Sequence, residues 1–237
     1  MTAETTTRAP ASALVIQHEE PTPAGLISEW LAERGLEQET LRIDEQDPHE
    51  LDPRDYALIV SLGSEFPAYD ESIRWIEHEG DLLRQAFDAD VPILGVCFGA
   101  QLLARVLGGR VFPAEREEIG WIPVKTRTPE VIPEGPWFQW HFDAFTSPPG
   151  SQVLATTEVG DQAYTVGQSL GVQFHPEVTP EIMERWVHAY PHELEQHGVD
   201  PEGLLDETNA RRQASRASAW TLFERFLERV ARPRERA

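Results

Sequence analysis

Short apolar runs alternate with longer amphipathic runs along the first hundred residues. The apolar runs predict strands over 12–17, 41–44, 56–62 and 92–96. The amphipathic runs predict helices over 26–35 and 70–87, the first of which ends at Gly35. Strands that alternate with helices favour a mostly parallel sheet covered on both faces, with ligands bound at the carboxyl ends of its strands.

The pattern changes in the second half of the chain. Short β-like segments separated by Pro, Gly and Ser fill 110–172 and predict an antiparallel extension of the main sheet. After Thr179 the pattern is helical, and 215–230 carries an apolar stripe. Residues 1–11 have no periodicity and predict a disordered leader, while 181–237 predict a helical extension packed on a domain formed by 12–180.

Cys97 lies where an apolar run ends and an amphipathic run begins, within 91–107. Gly95 and Gly99 flank it two residues away on either side, as a sharp turn from strand to helix requires. Such a nucleophile elbow sets the sulfur at a helix N-terminus, where the helix dipole and unpaired N–H groups favour the thiolate. On composition alone, a lone cysteine in an apolar stretch is more often an inert buried residue.

A second motif, GVQFHPEV at 171–178, follows another apolar run. His175 and Glu177 are two residues apart, so their side chains face the same side of an extended chain. The carboxylate can then orient the imidazole and stabilise its charge. This motif and the paired glycines favour a reactive cysteine. We therefore predict Cys97 as the nucleophile, His175 as the general base and Glu177 as the orienting acid.

The pair GVCFGAQ (95–101) and FHPEV (174–178) resembles the class I glutamine amidotransferases. EIGW at 118–121 and FQWHFDAFTSPPG at 138–150 resemble the stand-alone, GMP-synthase-like members of that family. The resemblance implies a glutaminase domain with a Cys-His-Glu triad on a flavodoxin-like, three-layer α/β fold. The mostly parallel central sheet, the antiparallel extension and the C-terminal helical tail are parts of this expected fold.

The loop after the third predicted strand, 62–70, is the candidate for half of an oxyanion hole. An elbow enzyme takes one donor from the backbone N–H of the residue after the nucleophile, here Phe98, and the other from such a loop. The family usually carries Gly-Gly-Pro there, but only Gly63 matches, and Ser64 and Glu65 follow it. Gly63 or Ser64 would donate the N–H, with less backbone freedom at Ser64. The alternative is an ordinary strand-to-helix loop.

Three further residues are candidates for substrate binding. Gln101 lies one helical turn after Cys97, and the family's glutamine at this place contacts the α-substituents of the substrate. His141 and Asp143 match a family run whose Asp helps to hold the α-amino group, although Phe142 replaces its glycine. The alternatives are a polar residue on a solvated first turn, a buried hydrogen-bonded histidine and a turn-forming aspartate.

Charge and composition narrow the functional class. The net charge of −21 argues against a nucleic-acid or anionic-membrane surface. A single cysteine allows no internal disulfide, and no stretch approaches the length of a membrane span, so we expect a cytoplasmic protein. No phosphate-binding loop is present, and no cofactor or metal is expected. The histidines outside the motifs form no ligand set and are expected on solvated helix faces: His18, His49, His78, His188, His192 and His197.

The resemblance implies hydrolysis of the glutamine side-chain amide through a cysteine thioester, with ammonia passed to a separate synthase. A second hypothesis is a stand-alone hydrolase of γ-glutamyl amines or peptides that needs no partner, and the altered loop at Ser64 and Glu65 leaves this hypothesis open. A non-catalytic module that binds a small amide is the third. The basic C-terminal helix is expected to dock on its own domain, and the alternative is a partner-binding arm.

Overall fold

The computed structural model describes residues 12–46, 48 and 51–231, so the predicted leader lies outside the described residues. The strands are β1 (Ser12–Gln17), β2 (Glu37–Arg42), β3 (Leu58–Ser61), β4 (Ile93–Val96), β5 (Arg110–Pro123), β6 (Lys125–Thr126), β7 (Pro136–Thr146), β8 (Gln152–Thr156), β9 (Asp161–Val166) and β10 (Ser169–Val172). The helices are α1 (Leu26–Glu33), α2 (Arg74–Asp88), α3 (Phe98–Val106), α4 (Pro180–Ala189), α5 (Pro191–Gln196) and α6 (Pro201–Arg229).

The main sheet is mixed, with the strand order β2-β1-β3-β4-β10-β9-β8-β6. Its first five strands run parallel to one another, and β9, β8 and β6 continue the sheet as an antiparallel extension. Parallel strands need crossover connections, which here carry helices over both faces of the sheet. The predicted three-layer α/β fold is confirmed.

Alternate residues of the central strands supply two separate cores. Ala13 and Val15 of β1 belong to the core beneath α1 and α6, while Leu14 and Ile16 belong to the core beneath α2 and α3. All four are fully buried, because a strand in the middle of a parallel sheet is covered on both faces. This explains why the central strands read as uninterrupted apolar runs.

The long strands β5 and β7 form a separate two-stranded antiparallel ribbon rather than part of the main sheet. The expectation that all of 110–172 extends the main sheet is therefore wrong for this pair. β5 is one long strand rather than several short ones, and its polar middle is exposed to solvent. Its register with β7 shifts between Pro113 and Glu118, which marks an irregularity in the ribbon.

The second strand begins earlier than the prediction at 41–44. β2 is mostly exposed at the sheet edge and pairs only with β1, so its first residues carry no apolar signal. The second helix begins at Arg74 rather than at residue 70, because Asp70 accepts hydrogen bonds from the backbone N–H and hydroxyl of Ser72 in a turn.

The C-terminal helix α6 packs against α1 and α4. Its buried stripe is formed by Ala219, Leu222, Phe223 and Phe226. Phe223 lies 5.3 Å from the ring of Trp30 on α1, and the indole N–H of Trp30 donates to Glu224 at 2.8 Å. No helix in the described part of the chain combines the length and apolar character needed to cross a membrane.

Candidate active site

Four neighbouring parallel strands end at one edge of the sheet, and each is followed by a residue of the site. His18 follows β1, Gly63 comes two residues after β3, Cys97 follows β4, and His175 comes three residues after β10. The carboxyl edge of a parallel sheet is where such folds bind ligands. The topology therefore brings together residues that are far apart in the sequence.

Cys97 occupies the sharp turn between β4 and α3. Its φ of 50° and ψ of −107° lie in a region that residues with a side chain rarely adopt. Both flanking glycines are required by close packing: a Cβ on Gly95 would lie 2.8 Å from the amide nitrogen of Ala100, and a Cβ on Gly99 would overlap Ser61. The predicted elbow is present, with the sulfur at the N-terminus of α3.

The imidazole of His175 is held by a buried carboxylate. Its Nδ1 lies 2.7 Å from Oε1 of Glu177, and both side chains are almost inaccessible to solvent. The backbone N–H of His175 donates to the carbonyl of Phe138 at 2.8 Å, and the indole of Trp186 packs edge-on against the imidazole. The second ring nitrogen, Nε2, has no hydrogen-bond partner within the described residues.

The charge state of His175 follows from its surroundings. Burial lowers the pKa of its imidazole, but the carboxylate of Glu177 and the sulfur of Cys97 outweigh burial and raise the pKa to about 10. The structure brings Cys97, His175 and Glu177 close to one another. This arrangement has the groups for nucleophilic attack and proton transfer.

Gly63 packs directly against this group. A Cβ on Gly63 would lie 2.9 Å from Cε1 of His175 and 3.7 Å from Cβ of Cys97, so a larger residue would displace the imidazole. Ser64 does not have a positive φ, so its backbone conformation does not require the second glycine of the family pattern. Ser64 donates its hydroxyl proton to Glu19 at 2.6 Å.

The three candidate binding residues lie beside one another. Gln101 is buried, and its Nε2 donates to Oε1 of Gln173 at 3.1 Å and to the carbonyl of Asp143 at 3.4 Å. His141 is buried between the carbonyl of Asp143 at 2.9 Å and the carboxylate of Glu118 at 3.0 Å. The imidazole of His141 thus holds the Asp143 backbone, and the Asp143 carboxylate faces a cavity.

That cavity has a volume of about 350 Å³ and contains Cys97, Gln101 and His175 on its walls. Burial raises the pKa of the Asp143 carboxyl, which accepts a hydrogen bond from the hydroxyl of Tyr69 at 3.2 Å. An aromatic rim, defined here as Phe66, Tyr69 and Phe142, lines the mouth. These are three of the four large hydrophobic side chains that are exposed among the described residues.

Sequence reasoning missed two contacts of the site. Gln173 directs its Nε2 toward Sγ of Cys97 at 3.5 Å. It lies within the GVQFHPEV motif, but only the strand geometry shows that it faces the cysteine. His18 is fully buried, so the expectation that it lies on a solvated helix face is wrong. Its position directly after an apolar strand does not by itself distinguish a buried histidine from a solvated one.

The other histidines outside the motifs differ in environment. His188 is exposed on α4, as expected, and His197 pairs with Glu117 at 2.8 Å. His49 lies outside the described residues. Across the described part of the chain, no group of three or more His, Cys, Asp or Glu side chains could hold a metal ion.

The comparisons with known proteins agree with this geometry. The family model described as glutamine amidotransferase class-I matches residues 24–188. The fold is similar to a solved glutamine amidotransferase from Thermotoga maritima, with a TM-score of 0.87 and 30% identity over 93% of this chain and 100% of that chain. A solved glutamine amido transferase from Methylobacillus flagellatus gives a TM-score of 0.86 at 25% identity, covering 95% of this chain and 97% of that one.

Similar curated proteins are GMP synthases (glutamine-hydrolyzing). That of Thermus thermophilus is 42% identical over 144 residues, which make up 51% of this chain and 26% of the relative. That of Marinobacter nauticus is 37% identical over 110 residues, 39% of this chain and 21% of the relative. The chain thus spans about a quarter of the length of the curated relatives that it matches.

Proposed function

The chain belongs to the class I glutamine amidotransferase family, and on this premise we propose that it hydrolyses the side-chain amide of glutamine through a thioester on Cys97. The observation that carries the proposal is the buried His175–Glu177 pair beside a cysteine held at a positive φ. A nucleophile, a proton carrier and an acid that orients it are the parts that amide hydrolysis requires.

In the first half of the reaction, the thiolate of Cys97 attacks the amide carbon and forms a tetrahedral oxyanion. The N–H of Phe98 and that of Ser64 or Gly63 would donate to this oxygen. As the first residue of α3, Phe98 has no acceptor for its N–H within the helix. The imidazolium of His175 then protonates the nitrogen, the C–N bond breaks, and ammonia leaves a γ-glutamyl thioester.

In the second half, a water molecule loses a proton to His175 and attacks the thioester. The C–S bond breaks, glutamate is released and the thiolate is restored. The charge on the sulfur is one of the causes that raise the pKa of His175. The thioester carries no such charge, so acylation removes that cause and lowers the pKa of His175, which keeps the imidazole neutral and able to accept the proton of the attacking water.

The cavity wall would hold the rest of the substrate. The Asp143 carboxylate is the candidate for the α-amino group, and His141 fixes the Asp143 backbone by hydrogen bonding to its carbonyl. Gln101 would contact the α-substituents, because its amide lies between Gln173 and Asp143 on the same wall as Cys97. These roles rest on the resemblance and on the shared cavity.

The ammonia released by the chain needs an acceptor, and the enzyme that uses it would be the partner of this chain. The curated relatives are named glutamine-hydrolyzing GMP synthases, and this chain spans about a quarter of their length. We therefore propose that the chain acts as a glutaminase component that passes ammonia to a separate synthase. That synthase would supply the acceptor and its activation.

The lining of the cavity favours a second candidate function, the hydrolysis of a larger γ-glutamyl amine or peptide. The carboxylates of Glu65, Asp143 and Glu193 line the cavity, and no Lys or Arg side chain is among its lining residues. The aromatic rim adds apolar surface at the mouth. An amine group or an apolar chain on the leaving side of the amide would therefore find complementary surfaces.

The test is the release of glutamate from L-glutamine and from a panel of γ-glutamyl amines by the purified chain, with Cys97→Ala as the control. Glutamine turnover that the substitution abolishes supports the glutaminase, and faster turnover of a larger amide supports the second candidate. If the chain hydrolyses none of these amides, labelling of Cys97 by a reactive glutamine analogue distinguishes the remaining possibilities. Labelling of Cys97 indicates a glutaminase that is silent without its synthase, and no labelling indicates a module that only binds.

A further inference from the structure

A second buried histidine lies beneath the loop that carries Gly63. His18 is fully inaccessible to solvent, and its two ring nitrogens face two acceptors. Nδ1 lies 3.0 Å from the carbonyl oxygen of Gly63, and Nε2 lies 2.8 Å from Oε2 of Glu79 on α2. The mechanism described above uses neither His18 nor Glu79.

The carboxylate of Glu79 is also fully buried and uses both oxygens. Its Oε1 accepts the hydroxyl proton of Ser61 at 2.6 Å, and Ser61 is the last residue of β3. A buried charge is stable only when it is paired and hydrogen-bonded. The His18–Glu79–Ser61 network therefore ties β1, α2 and β3 to the loop that begins two residues after Ser61.

The donors and acceptors define the protonation of His18. A carbonyl oxygen only accepts, so Nδ1 carries a proton toward Gly63, while Nε2 faces the carboxyl group of Glu79 at 2.8 Å. Burial lowers the pKa of His18, but Glu79 outweighs it, and Glu19 adds to the rise. His18 also contacts the uncharged rings of Trp75 and Phe98. The raised pKa favours the imidazolium form of His18, which donates from both nitrogens.

The bond to Gly63 has a geometric consequence for the next residue. In a trans peptide the C=O and the following N–H point in opposite directions. Because the Gly63 carbonyl points toward His18, the N–H of Ser64 points away from His18. Gly63 and Ser64 both line the active-site cavity, and within the described residues this N–H makes no backbone–backbone hydrogen bond.

The same imidazolium also contacts the other oxyanion donor. Its ring packs edge-on against Phe98, with 4.7 Å between the ring centroids, and the backbone N–H of Phe98 is the donor at the elbow. One buried side chain thus touches both residues whose amides would stabilise the tetrahedral intermediate.

We propose that His18 is a positioning residue of the oxyanion hole: paired with Glu79, it holds the Gly63 carbonyl so that the N–H of Ser64 faces the developing oxyanion. This inference rests on the proposed function and selects Ser64 over Gly63 as the loop donor. It also explains how the loop works without the second glycine of the family pattern, because a buried hydrogen bond orients the peptide.

The test compares two paired substitutions, because a single change at His18 leaves Glu79 buried without a partner. His18→Phe with Glu79→Met replaces the ion pair by apolar groups, a change that buried pairs often tolerate without loss of stability. His18→Asn with Glu79→Gln keeps an N–H that can reach the Gly63 carbonyl. His188→Phe, at an exposed histidine on α4, is the matched control.

The apolar pair is expected to lower kcat by up to about 100-fold with KM nearly unchanged, as loss of an oxyanion donor does. The amide pair is expected to recover most of this loss, and the control is expected to match the unmodified chain. Alkylation of Cys97 by iodoacetamide builds no oxyanion, so its rate is expected to stay within about twofold in all variants, since the sulfur is untouched.

Two results would overturn the inference: a folded apolar pair with unchanged turnover, or a loss of alkylation in proportion to the loss of turnover. If the unmodified chain hydrolyses no γ-glutamyl amide, it is the proposed function that fails, and the crystal structure of the apolar pair then tests the inference independently. A Gly63–Ser64 peptide that rotates supports the role of His18, and one that keeps its orientation contradicts it.

Discussion

Gly63 and His175 are in such close contact that a single methyl group would separate them, because a Cβ on Gly63 would lie 2.9 Å from Cε1 of the imidazole. Gly63→Ala should therefore displace His175 from Cys97 and lower kcat/KM for the best amide by about 100-fold, the cost of misplacing a catalytic group by about 1 Å. Steady-state kinetics of glutamate release measure the effect.

Gly80→Ala is the matched control for that substitution. Gly80 is buried on α2, and a Cβ there would lie 3.1 Å from Cγ1 of Val106, away from the active-site cavity. Its activity is expected to stay within about twofold of the unmodified chain, since it touches none of the groups that move protons. Equal losses in the two variants would refute the proposed contact between Gly63 and the catalytic histidine.

We expect kcat/KM to stay constant far into the alkaline pH range. Burial lowers the pKa of His175, but Glu177 and Cys97 raise it to about 10, and the proposed acylation step needs the protonated imidazole. The imidazolium is therefore present below pH 10 and is lost above it, so kcat/KM should hold through pH 9 and fall beyond about 10. An alkaline limb near pH 7 would rule out the ion-paired state in the free enzyme.

Glu177→Gln should lower the pH at which kcat/KM falls on the alkaline side, and it should slow the reaction. The substitution removes the first of the two groups that raise the pKa of His175, so the alkaline limb should shift downward. It also exchanges an acceptor for an amide that can donate to Nδ1, which favours the wrong tautomer and should lower kcat by about 10²- to 10⁴-fold. A pH profile that keeps its alkaline limb would show that Glu177 does not set the charge of the imidazole.

The docking of α6 should account for a large part of the stability. Phe223 is fully buried against Trp30, so Phe223→Ala should lower the free energy of unfolding by about 3–5 kcal/mol. Glu228→Ala, on an exposed position of the same helix, should change it by less than about 0.5 kcal/mol. Urea denaturation measures both variants. A loss below 1 kcal/mol for Phe223→Ala would mean that α6 packs loosely on the domain.

The elbow and the His175–Glu177 pair could be predicted from the sequence because their geometry is local. Two glycines around Cys97 suffice to indicate the turn, and a spacing of two residues suffices to put an imidazole beside a carboxylate. The parallel sheet was predictable for a related reason. Strands buried on both faces are apolar throughout and are easy to distinguish from the helices between them.

His18 could not be assigned in this way, because its partner Glu79 is 61 residues away on another element. A polar residue after a strand has no local signal that separates a solvated position from a buried ion pair. The ribbon of β5 and β7 was missed for a similar reason. Its pairing is long-range, and its polar residues at 115–118 resemble a loop when they are read without the partner strand.

The position of β10 between β4 and β9 has a consequence for the synthesis of the chain on the ribosome. Until Ser169–Val172 emerges, β4 has an open hydrogen-bonding edge, and the newly made thiol of Cys97 lacks both Gln173 and His175. The nascent chain therefore has an unpaired strand edge at β4 while the roughly 70 residues between β4 and β10 are being translated. An unpaired strand edge of this kind is prone to pair with other chains, and it is closed only when β10, the last strand in the described part of the sequence, pairs with β4.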